Sequence, residues 1–341
     1  MKRFALIGLV LVAGITARTE PEAASAPGGP FDENTAIELT AGLTQYENPP
    51  SLAGKVTSVG GGTSAILVNR WAAEFAQIYP GLQLDLHGGG SVSGLDGLVA
   101  GTVDLVPLNR PLPAADIARF KAKFGYEPTV IVVAQDAAAV YVNLHNPLAG
   151  LTLAQLDAIY SRDARRGGGR PEFWHELGVT GPLAQAQISR VVLSRVHSEH
   201  LDFQQVVMRG AEYQFHLRTE VVPSSLVQAV GADDAAVGFA SMMFATARTR
   251  FVPLQAADGT YVLPTYENIV SGKYPLIRPV RVVFNRKPDG TMNPAAREFL
   301  RFAVSRRGQR IISLAGTFPI TVDQQQEALR LVGEAPPAAG R

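Results

Sequence analysis

Cysteine is absent from the 341-residue chain, and its absence removes three chemistries at once. Disulfides, thiolate metal sites and lipidation at a signal-peptide cysteine are all excluded. An excess of one charge is missing too, since 31 Lys plus Arg face 30 Asp plus Glu for a formal net charge of +1. Without a polybasic stretch, neither nucleic acid nor a membrane surface is an expected partner, and a small solute fits better than a polyanion. Long apolar runs are also lacking. The run from Phe4 to Ala13 follows the positive Met1-Lys2-Arg3 and is short for a bilayer span. Residues 1–25 therefore read as an export signal peptide, with cleavage after Ala17 or in the Ala-rich segment ending near Ala26. An uncleaved anchor or a buried first helix is the other reading of that run. After cleavage the protein is expected in the periplasm or outside the cell, as a soluble monomer.

Familiar catalytic signatures are missing as well. Neither Gly-rich turn, Gly60-Gly61-Gly62-Thr63-Ser64 or Gly88-Gly89-Gly90-Ser91-Val92-Ser93-Gly94, ends in the Gly-Lys-Ser/Thr of a P-loop or has clean dinucleotide spacing. Ser91 and Ser93 lack the flanking glycines of a Gly-x-Ser-x-Gly nucleophile. His197 and His200 lie three apart with no third ligand at motif spacing, so surface or hydrogen-bonded histidines are the simpler reading. No enzyme, metal or cofactor is implied. A phosphatase-like hydrolase using the two histidines is the distant third reading.

What the sequence does contain is alternation of strand-like and helix-like segments at short spacing, the pattern of α/β layers. Leu67, Trp71, Phe75 and Ile78 recur at helical spacing before Pro80-Gly81, and Leu82, Leu84 and Leu86 alternate like a strand. Val103–Pro107, Thr129–Ala134, Ala137–Val142, Val191–Leu193, Ala235–Phe239 and Arg281–Phe284 are further strand candidates. Thr152 and Gln155 have capping-box spacing. The expected division is an arm over 26–54, one lobe from 55–136 plus 245–325, a second lobe over 137–244, and a tail over 326–341. The Arg/Gly-rich stretch from Arg162 to Arg170 reads as a loop. The two Gly-rich turns each precede a helix, so their N–H groups and the hydroxyls of Thr63, Ser64, Ser91 and Ser93 could face an anion. Plain helix capping explains the same residues equally well.

The collinear order of segments is more specific. The Gly-rich opening through Trp71, Tyr79-Pro80-Gly81, Gly90-Ser91, Thr102 to Leu105 leading to Asn109-Arg110-Pro111-Leu112, and Ala134 to Asn143 come in turn. Asn146-Pro147, Leu151-Thr152, Trp174 to Gly178, Ala236 to Phe239 and Tyr274 to Pro279 follow. From about Val59 to Pro319 the chain resembles the phosphate-binding periplasmic receptor family of ABC importers. That resemblance implies an α/β, periplasmic-binding-protein-like (type II) fold, two lobes around a hinged cleft that closes on a dehydrated oxyanion, and delivery to a membrane permease. It maps contact residues onto Thr63, Ser64, Ser91, Asn109, Arg110, Arg195 and Ser198. Some members carry an acidic residue where Asn109 falls. The fourth segment, Arg195-Val196-His197-Ser198-Glu199-His200, departs from an Arg followed by Ser-Gly-Thr: Arg195 and Ser198 match, and Glu199 stands where a glycine is usual. An Arg195 turned to solvent, with Glu199 between the lobes, is the geometry that would count against a transport receptor. The alternative is a non-transport envelope sensing or adhesion protein on the same scaffold.

Overall fold

Parallel strands need crossover connections, and the helical stripes between the short apolar runs supply them. The structure, a computed structural model, describes residues 31–49 and 51–333. The expected signal peptide lies outside them. The chain lays down β1 (Gly54–Val59), β2 (Leu82–His87), β3 (Leu105–Leu108) and β4 (Thr129–Ala134), then crosses to a second sheet. There it builds β5 (Ala138–Asn143), β6 (Ser189–Leu193), β7 (Arg218–Glu220), β8 (Ala236–Ser241) and β9 (Thr249–Phe251), followed by the hairpin β10 (Leu254–Gln255) and β11 (Tyr261–Val262). It returns with β12 (Val280–Phe284). The sheet orders are β2-β1-β3-β12-β4 and β7-β6-β8-β5-β9. In the first, β12 runs antiparallel to both neighbours while β1 is parallel to β2 and β3.

Each sheet owns a core. The helix Gly62–Ile78 buries Leu67, Trp71 and Phe75 completely, a stripe at four-residue spacing facing the helix Pro294–Val304. Phe75 meets Phe299 edge-on at 5.4 Å, and the Trp71 indole N–H donates to the Gly308 carbonyl at 2.8 Å. Full burial of such a side chain stabilises the fold by about 1.5–3 kcal/mol. The second core gathers Tyr141, Tyr160, Trp174, Phe239 and Leu226. The capping box at Thr152 is formed: its hydroxyl accepts the Gln155 N–H at 3.0 Å, and the Gln155 side chain accepts the Thr152 N–H at 2.9 Å.

The outgoing and returning crossings run side by side. Ala138 N–H donates to Leu276 O at 2.9 Å and Arg278 N–H to Asp136 O at 2.8 Å. Gln135 and Phe318 exchange backbone bonds of 2.8 and 2.9 Å on the other side. Three expected boundaries need correction. The second lobe runs past 245, because β9 pairs with β5 and Val252, Leu254, Ile269, Tyr274 and Leu276 pack into its core. The arm is not without structure: Asp32 caps a helix Glu33–Thr40 by accepting the Thr35 N–H at 2.8 Å, and Arg306 N–H donates to Thr44 O just beyond it. The tail begins only at Gly333, since the helix Val322–Val332 buries Ala328, Leu329 and Val332 in the first core.

Candidate functional site

In a sheet with parallel strands, the helices that follow start at the strands' carboxyl ends and aim their free N–H groups at the crevice there. Three such helices begin at one cleft of about 630 Å³: Gly62–Ile78 after β1, Gly90–Ala100 after β2, and Ser198–Val206 after β6. The first two come from one lobe and the third from the other. None has a side-chain hydrogen bond from its N-cap residue, so first-turn N–H groups other than those of Ser64, Gly90 and His200, which are bonded within the chain, stay available to a ligand. The two Gly-rich turns are laced together. Gly90 N–H donates to Gly60 O at 2.9 Å, and a methyl group on Gly61 would come within 3.1 Å of Gly90 Cα. Gly62 and Gly90 have φ of +60° and +80°, which glycine adopts without the penalty a side chain would carry.

Six of the seven expected contact residues lie around this cleft. Thr63 is fully buried, and its hydroxyl donates at 3.4 Å to Oε1 of Glu199 in the other lobe. Ser64 spends its hydroxyl on Gly61 O at 2.9 Å and its N–H on Asn109 Oδ1 at 3.0 Å. Asn109 thereby becomes a buried brace behind the first turn. Arg110 is half-buried and donates to the Ser91 hydroxyl at 3.4 Å, with both residues on the cleft wall. Ser198 opens the third helix and accepts from Arg278 Nη2 at 3.3 Å.

Arg195 is the exception. It is exposed, because it and Val196 occupy the middle of a turn closed by His197 N–H on Ser194 O at 3.1 Å. That turn points the side chain outward.

A second guanidinium beside the cleft belongs to Arg278, which lines the adjoining pocket with Asn109, Arg110, Glu199 and Asp202 and has a side chain only 8% exposed. It pairs with Asp202 Oδ2 at 2.6 Å and stands 3.5 Å from Glu199 Oε1. Burial opposes its charge, but Glu199, Asp202 and Asp136 more than offset that and raise its pKa. Asp136, fully buried on the outgoing crossing, is pushed up to about 7 by burial, against the opposing pull of Arg278 and of the Ser241 hydroxyl, which donates to its Oδ1 at 2.8 Å. The sequence held one clue to Arg278, a lone charge in the otherwise apolar run Pro275-Leu276-Ile277-Arg278-Pro279. His200 does not project as a ligand: its Nδ1 meets Leu193 O at 2.7 Å, and burial lowers its pKa.

Among the described residues, three buried side-chain donor atoms near the cleft have no hydrogen-bond acceptor: Asn109 Nδ2, Arg278 Nε and Arg278 Nη1. Buried donors are normally matched, and only the Glu199 carboxylate, with Oε1 3.5 Å from Arg278 Nη1, stands in ion-pair range of one of them without making a hydrogen bond. Helix N-termini, hydroxyls and a guanidinium converging from two lobes define a solute-binding scaffold suited to an anion, in the type II periplasmic-binding-protein arrangement.

The chain belongs to the PBP superfamily: a family model described as the PBP superfamily domain matches residues 44–307. It is 28% identical over 293 residues to the phosphate-binding protein PstS of Pseudomonas aeruginosa, covering 85% of this chain and 91% of the relative. Protein SphX of Synechococcus elongatus is 24% identical over 259 residues, 74% of each chain. Among solved structures, a possible phosphate binding protein from Planctomyces limnophilus superposes with a TM-score of 0.63 at 22% identity, over 83% of this chain and 98% of that one. A putative phosphate ABC transporter substrate-binding protein from Clostridium perfringens, crystallised with bound phosphate, gives 0.61 at 21% identity, over 79% and 100%. These structures share the fold.

Proposed function

We propose that the protein is an extracytoplasmic solute-binding receptor that captures phosphate or a related tetrahedral oxyanion between its lobes and hands it to an ABC-importer permease, without catalysis. The observation that carries this is the convergence of three uncapped helix N-termini on one cleft beside buried donors that lack acceptors. Fixed donors of this kind replace the hydration an anion loses on burial. The PstS relatives, named for phosphate, support the ligand class. Among the described residues no helix is long and apolar enough to cross a membrane; the export signal read over residues 1–25 supports a periplasmic or secreted location. Closure would be a hinge motion at the paired crossings, favoured by contacts to ligand from both sides.

Thermal melting of phosphate-stripped protein with phosphate, arsenate, sulfate or molybdate tests this, because a ligand that binds only the folded state raises stability. One anion should shift the transition selectively. Arg110→Ala should weaken that anion's binding about tenfold or more, as loss of a hydrogen bond to a charged group implies. No shift with any anion at concentrations on the order of 10 mM would overturn the receptor. That result would favour a sensing or adhesion protein on the same scaffold, the reading that the outward Arg195 and the inward Glu199 support.

A further inference from the structure

Glu199 is anchored in the second lobe, in the first turn of the helix Ser198–Val206, yet its carboxylate contacts the first lobe. Its side chain is 1% exposed. Oε1 accepts from the Thr63 hydroxyl at 3.4 Å and lies 3.5 Å from Arg278 Nη1. Oε2 accepts from the Ser198 hydroxyl at 3.4 Å and lies 4.0 Å from His197 Nδ1. Both oxygens also sit against the start of the first helix, 3.7 and 3.8 Å from where a Gly62 Cβ would be. A hydroxyl from each lobe, a guanidinium and a helix N-terminus are the partners an incoming oxyanion would take.

We propose that Glu199 is a built-in competitor: a tethered carboxylate that fills the oxyanion subsite and bridges the lobes, so that an external anion is captured only as Glu199 swings out. This rests on reading the cleft as an oxyanion site. The fit of the resident carboxylate is loose. Its polar contacts span 3.4–4.0 Å, well beyond the roughly 2.7–2.9 Å of charge-assisted bonds. Arg278 would not be stranded by its departure, since Asp202 holds Nη2 at 2.6 Å. A tetrahedral anion also brings more acceptor oxygens than a carboxylate, enough to engage the unmet Asn109 Nδ2 and Arg278 Nη1. Exchange therefore replaces loose contacts with complete ones, and wild-type affinity is held down by the competitor.

The test is calorimetric titration of inorganic phosphate into phosphate-stripped, signal-free protein: wild type, Glu199→Gln and Glu199→Asp, each first shown to be folded by its melting transition. Glu199→Gln should bind phosphate at least tenfold more tightly than wild type, about 1.4 kcal/mol. Glu199→Asp keeps the charge on a shorter arm and should fall between the two. Small-angle scattering without ligand should show wild type compact and Glu199→Gln more extended. Wild-type binding that Glu199→Gln leaves equal or weaker overturns the proposal alone, because the carboxylate would then be helping to hold the ligand. A ligand-free profile unchanged by the substitution also overturns it. Failure of all three proteins to bind phosphate overturns the oxyanion reading itself, and the competitor with it.

Discussion

Replacing Arg278 by Met keeps much of the side-chain volume and removes the one guanidinium that serves Glu199 and Asp202 directly and lies within electrostatic reach of Asp136. Breaking a buried pair by deleting one partner costs about 3–5 kcal/mol, since the remaining charge is left uncompensated. For a protein of this size that corresponds to a fall in melting temperature of roughly 4–8 °C. The loss should also depend on pH, with a sign fixed by Asp136. Burial raises its carboxyl to about 7, and Arg278 is the largest influence acting the other way. An acid whose folded value lies above its unfolded one favours the fold while protonated, so its penalty is absent below about pH 4 and grows as pH rises through that window. Without Arg278 the window extends further upward. The gap between wild type and Arg278→Met should therefore be widest near pH 8–9 and narrowest near pH 5, measured by melting across a pH series at constant ionic strength. A loss under about 1 kcal/mol, the scale of exposed ion pairs, or one that is the same at every pH, would refute the reasoning.

Other substitutions test the scaffold that aims the site. Gly94 lies on the helix Gly90–Ala100, where an added methyl would come within 2.3 Å of Val59 O and 2.8 Å of Val106 Cγ1. Gly94→Ala should lower stability by about 1–3 kcal/mol through overpacking, read as a lower urea midpoint. Thr152→Ala removes the hydroxyl that accepts the Gln155 N–H, leaving only the half of the box that the backbone N–H of residue 152 donates to the Gln155 side chain, and should cost about 1 kcal/mol in the same assay.

Local rules made much of this fold legible. The apolar run Thr129–Ala134 is β4 to the residue, the Leu67-Trp71-Phe75 stripe is the buried face of its helix, and the Thr152/Gln155 pair is a formed capping box. Each depends on residues close in sequence. What escaped depends on distant partners. The helix Glu33–Thr40 is short and weakly amphipathic, and it rests against the helix Arg306–Leu314. Arg278 finds Ser198 and Asp202 across 80 and 76 positions. Arg195 is a different case. A match of residue type cannot show that the side chain sits in the middle of a turn. Glu199 was visible as a charge out of place, but only its contact with Thr63 shows that it reaches across to the other lobe.

The crossings carry one more implication. Residues 135–138, 276–278 and Phe318 are stitched by backbone bonds into a narrow three-ply ribbon, so the lobes do not hang on two independent tethers. A rotation of one lobe against the other would have to be accommodated at these paired main-chain segments, with the Phe318 pairing on Gln135 bearing on the outgoing crossing.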